Sequence, residues 1–80
     1  MKLLVRNLSR DTTEAELKAL FAEFGQVTAC TLVMDKVTGK SKGFGFVEMP
    51  KHIEAKTAIK ALNAKKIAGS VIRVKEAGAD

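Results

Sequence analysis

Lys42-Gly43-Phe44-Gly45-Phe46-Val47-Glu48-Met49 is the segment whose residue types and spacing most directly suggest chemistry. On an extended chain, Lys42, Phe44, Phe46 and Glu48 share one face, and Gly43, Gly45, Val47 and Met49 share the other. Apolar size alone would turn the two rings inward. That register, however, would drag Lys42 and Glu48 toward the core, whereas the opposite one buries only Gly, Val and Met. The rings are therefore expected on the solvent side, beside a cation. A nucleobase can stack on such a ring while a neighbouring phosphate meets an ammonium or guanidinium group.

Two further strands extend the pattern. With Leu3 and Val5 inward, Lys2, Leu4 and Arg6 point outward, and Leu8 returns to the core. In Val71-Ile72-Arg73-Val74-Lys75, inward Ile72 and Val74 leave Val71, Arg73 and Lys75 outside. One open face thus collects Lys2, Arg6, Lys42, Arg73 and Lys75 against Glu48, around Phe44 and Phe46. Strand cations also discourage edge pairing, which is the plainer reading of Arg6, Arg73 and Lys75. Asn7 is expected to organise the turn after the first strand. Lys36 and Lys40 could clamp a bound strand or simply solvate a loop, and Lys51, Lys56, Lys60, Lys65 and Lys66 read as a solvated helical face.

The elements that must position these residues follow from periodicity. Lys2–Arg6 is a strand, followed by the turn formers Asn7–Thr12. Thr13 and Glu16 fit a capping box, and Leu17, Leu20, Phe21 and Phe24 form one helical stripe that Gly25 stops. Val27–Val33 alternates as a second strand, with Cys30 and Leu32 on one side. Asp35–Ser41 has turn chemistry and joins it to the third strand, Lys42–Met49, in a hairpin. After Pro50, Ala55, Ala58, Ile59 and Leu62 repeat the helical stripe up to about Asn63. A turn at Ile67-Ala68-Gly69 leads into the last strand, Val71–Lys75, and a short tail from Glu76 to Asp80. The order β-α-β-β-α-β predicts an α+β, ferredoxin-like sandwich: a four-stranded antiparallel sheet with two helices on one face.

Composition bounds the rest. Eighty residues suffice for one domain, expected to span 1–80, and an apolar content of 46% excludes a disordered chain. Fourteen Lys and Arg against nine Asp and Glu leave a net charge of +5, which favours polyanionic partners. No apolar run approaches a membrane span, and the start does not read as a signal peptide, so no membrane association and a cytoplasmic location are expected. Cys30, alone, closes no disulfide and is expected as a small apolar packing residue. With His52 the one histidine, no metal site and no cofactor are expected.

Lys42–Met49 resembles the octamer of the RNA recognition motif family, agreeing at seven of its eight positions. Leu3-Leu4-Val5-Arg6-Asn7-Leu8 is similar to that family's hexamer, and Asp35–Ser41 to its hairpin loop, so the resemblance runs from Lys2 to Ala77. It implies that Phe46 stacks on a base, Phe44 packs between sugars and Lys42 contacts a phosphate. The hexamer position usually held by a second stacking aromatic is Leu4 here, which removes a platform worth about 1–3 kcal/mol per base and implies weak affinity.

The expected function is therefore a non-enzymatic, monomeric module. It would hold single-stranded RNA, or single-stranded DNA, through Lys2, Leu4, Arg6, Lys42, Phe44, Phe46, Arg73 and Lys75, and take no small-molecule substrate. A protein-docking module of the same fold is the alternative. A phosphate-hydrolysing enzyme of this topology finds only the Arg6-Asn7 echo in its favour.

Overall fold

Helix α1 (Glu14–Ala22) starts where the sequence supplies its cap. Thr13 Oγ1 accepts the Glu16 N–H at 3.2 Å, and the Glu16 carboxylate accepts the Thr13 N–H at 3.0 Å, so two free donors of the first turn are satisfied reciprocally. Leu17 and Phe21 are fully buried, and Leu20 and Phe24 pack at the rim of the core. The helix ends two residues before the expected Phe24. Glu23 forms its C-cap, and the Phe24 N–H closes a tighter turn on the Phe21 carbonyl.

The computed structural model of the protein describes residues 1–77; positions 78–80 of the expected domain and tail lie outside the described residues. Strands β1 (Lys2–Arg6), β2 (Ala29–Met34), β3 (Ser41–Glu48) and β6 (Arg73–Ala77) form an antiparallel sheet in the order β2-β3-β1-β6. Helix α2 (His52–Leu62) buries Ala55, Ala58 and Leu62 beside the α1 residues. Leu3, Val5, Val47 and Val74 from the sheet, with Ile72 just before β6, pack into this core, so both helices lie on one face, as the β-α-β-β-α-β order requires.

The last strand departs from expectation. Lys66–Ile67 (β4) and Ser70–Val71 (β5) make a separate two-stranded hairpin, and Ile72 interrupts the run before β6. Ala68 and Gly69 both have positive φ, at 51° and 85°, the geometry of a two-residue hairpin turn whose twist suits its flanking strands. Ile72 exchanges backbone hydrogen bonds with Ala64 and Lys65, which draws it out of the ladder. Glu76 and Ala77, expected in a tail, instead pair with Leu3 and Lys2 in β6. The second strand is shorter than expected at its start, since Val27 packs on the core from outside the ladder.

Close approach explains Gly45. A Cβ there would lie 2.5 Å from the Thr31 carbonyl oxygen of the neighbouring β2 backbone and 3.2 Å from Leu17 Cδ2 of α1. Gly45→Ala is therefore expected to lower unfolding stability by about 1–3 kcal/mol through overpacking. Urea denaturation read by circular dichroism measures this, and an unchanged midpoint would contradict the packing described.

Candidate functional site

The register of the sheet assembles the outward residues into rows. Phe46 lies between Thr31 of β2 and Leu4 of β1, and Leu4 faces Lys75 of β6 on its other side. One step along, Arg6 stands directly opposite Arg73, and at the other end Lys2 stands opposite Glu48. Leu3, Val5, Val47 and Val74, which alternate with these residues, are buried. Both rings therefore project from the face opposite the helices. Lys2, Arg6, Lys42, Arg73 and Lys75 are exposed, and Leu4 is half-buried. All eight residues expected at the site lie on this one face.

The rings are half-buried rather than fully in water. Phe44 and Phe46 meet edge to face, with centroids 6.4 Å apart and planes at 87°, an arrangement the ring quadrupole favours. Lys2 Nζ sits 4.7 Å from the Phe46 centroid, a cation–π contact that covers one face of this ring.

Two concavities flank Arg6. One, of about 600 Å³, is lined by Arg6, Asn7, Asn63, Arg73, Val74 and Lys75. The other, of about 320 Å³, is bounded by Arg6, Asn7, Leu8, Arg10, Lys42, Gly43 and Phe44. Arg10 and Asn63 were not expected here. Arg10 follows the first strand in a run of turn formers, and its only signal was its charge. Asn63 carried none beyond ending a helix.

Asn7 does organise its turn. It adopts a positive φ of 59°, and its Nδ2 donates to the Val71 carbonyl at 2.6 Å, tying β1 to the β5 segment. Asp35 shapes the β2–β3 loop: its Oδ1 accepts the N–H groups of Val37 at 2.7 Å and Thr38 at 3.1 Å. These backbone donors hold its carboxyl below the usual carboxylate range. The loop contact is thus intact above the ordinary carboxylate pKa and is lost as pH falls through the depressed value. Lys36 and Lys40 stay exposed around it.

Cys30 is half-buried rather than buried, and its Sγ donates to the Glu14 carbonyl at 3.7 Å. Burial, then the Glu14 carboxylate, pushes its thiol pKa up. Among the described residues no cluster of three or more His, Cys, Asp or Glu side chains could hold a metal ion. No described helix is long and apolar enough to cross a membrane.

Because the rings lie outside the core, Phe46→Ala is expected to cost only about 1 kcal/mol, the scale of a cross-strand pair. Phe21→Ala, in the buried core, should cost about 3–5 kcal/mol. Thermal and urea unfolding of both variants would show this contrast, and equal losses would mean that Phe46 is a core residue.

Comparison with known proteins gives a consistent picture. The family model described as RNA recognition motif matches residues 3–73. The chain is 44% identical over 77 residues to RNA-binding protein RbpB of Nostoc sp., covering 96% of this chain and 75% of that one. The crystal structure of RNA binding protein PG1 superposes with a TM-score of 0.95 at 38% identity, covering 100% of this chain and 96% of that one. A Sex-lethal protein/RNA complex superposes with a TM-score of 0.91 at 33% identity, covering 99% of this chain and 47% of that one.

Proposed function

The chain belongs to the RNA recognition motif family, and from that premise we propose that its open sheet face holds a short single strand of RNA by base stacking and phosphate contacts, without catalysis. The observation that carries this reading is the pair of half-exposed rings, Phe44 and Phe46, standing on the solvent face among five cations. Stacking on a ring face is indifferent to base identity, and cations alongside neutralise the backbone, so such a surface suits single strands.

In this reading a base stacks on Phe46, Phe44 packs against the adjoining sugars, and Lys42 meets a phosphate. Lys2 already lies over the Phe46 ring. It must move aside when a base occupies that face, and its ammonium is then released toward the backbone of the same nucleotide. Leu4, directly opposite Phe46, offers apolar contact where an aromatic would provide a second platform. Arg6, Arg73 and Lys75 continue the positive face toward β6 and steer the strand. A span of about two to four nucleotides fits these contacts.

Replacing Phe44 and Phe46 together by Ala is expected to weaken binding of single-stranded RNA by about 1–3 kcal/mol per stacked base while the fold persists. Fluorescence anisotropy titration with circular dichroism as a control measures both. Unchanged affinity in a folded double variant would refute the stacking role.

The wild-type binding constant should also fall with salt, with a log–log slope of about −2 for about three neutralised phosphates on a single strand. A slope near zero would favour an apolar protein contact on this face instead.

A further inference from the structure

The cleft of about 600 Å³ at the β6 edge has a lining of one chemical sign: Arg6, Arg73 and Lys75 with Asn7, Asn63 and Val74, and no carboxylate. Arg6 and Arg73 are direct cross-strand partners. Like charges placed opposite each other on a sheet repel, and an anion held between them removes that penalty. Asn63 adds an oriented donor. Its Oδ1 accepts the Val74 N–H at 3.1 Å, which fixes the amide so that Nδ2 keeps its donor capacity beside the cleft.

The outer side of the cleft is the edge of the sheet. Among the described residues the sheet has no further strand beyond β6. Its edge is covered by the connection after α2: Asn63 takes the Val74 N–H, and Ile72 is paired in both directions with Ala64 and Lys65. A nucleic-acid strand laid across the face therefore runs out of sheet here. A chain end fits this place better than a segment running through.

From these observations we infer that the cleft is a site for a terminal phosphate of the bound strand, with Arg6 and Arg73 clamping it and Asn63 Nδ2 donating to a third oxygen. The inference rests on the sheet face being an RNA surface and adds a preference for one kind of strand end. A phosphomonoester suits the cleft better than an internal phosphodiester because it carries a charge of about −1.5 to −2 at neutral pH and three acceptor oxygens. Its second pKa is about 6, whereas none of the lining side chains is a carboxylate or a histidine. Any pH dependence of the preference between pH 5 and 8 thus belongs to the phosphate.

The experiment titrates the whole protein with short random-sequence RNAs bearing hydroxyl groups at both ends, a 5′-phosphate or a 3′-phosphate, read by fluorescence anisotropy. One phosphorylated end is expected to bind about tenfold more tightly than the dihydroxyl strand, the scale of added charge-assisted hydrogen bonds. The two phosphorylated arms identify which end is held. The advantage should shrink at pH 5. It should vanish in Arg73→Ala, and also in Asn63→Asp, which keeps an acceptor for the Val74 N–H and places a negative charge at the cleft. Equal binding of all three RNAs, or an advantage that survives in both variants, would overturn the inference alone. No binding by any of the three would overturn it together with the reading of the sheet face.

Discussion

At Gly45 of β3 the room for an inward side chain is taken: a Cβ there would meet the Thr31 carbonyl oxygen of β2 at 2.5 Å and Leu17 of α1 at 3.2 Å. Backbone and helix can come this near only where a side chain is absent. Gly45 marks that place, and alternation then sends Phe44 and Phe46 to the opposite side. A residue spacing that looks like aromatic chemistry is therefore equally a packing requirement. The buried positions of β3 are Ser41, Gly45 and Val47, small or medium residues beneath the helical layer, while the two large rings stand outside.

The charge distribution follows from the same division. Lysine and arginine on the outward positions of β1, β3 and β6 stay in water at no desolvation cost, whereas on the inward positions each would be a buried charge. The acidic residues of α1 are spent locally. Glu16 caps the helix, and the Glu14 carboxylate accepts the Leu32 N–H at 3.1 Å. That second contact occupies a backbone donor of β2, the strand at one end of the sheet. Asn63 does the same for Val74 of β6 at the other end. Side chains thus blunt both edges, which limits strand addition there and leaves the broad face as the surface for a ligand.

The positive face is also less passive than a row of exposed groups. Lys2 rests on Phe46, the rings rest on each other, and Arg6 stands between two concavities. In the free protein these contacts shield apolar and cationic surface that a bound strand would take over. On the proposed reading, binding exchanges one set of aromatic and cation contacts for another.

Much of this was legible in the residues themselves. Alternation in β1 and β3, the helical stripes from Leu17 and from Ala55, and the Thr13–Glu16 cap each depend on neighbours within a few positions, and local sequence carries such information directly. These features determined the order of elements, the inward set and the outward placement of Lys2, Leu4, Arg6, Lys42, Phe44, Phe46, Arg73 and Lys75. Tertiary structure alone decided what depends on distant partners. The interruption at Ile72 arises from backbone pairing with Ala64 and Lys65, and Lys2 finds Phe46 only through the β1–β3 register. Asn63 and Arg10 join the site because the chain folds back on itself there. The physical reason is one of range: side-chain periodicity repeats every two or 3.6 residues and is visible along the chain, whereas the meeting of segments far apart in sequence is set by how the finished layers pack.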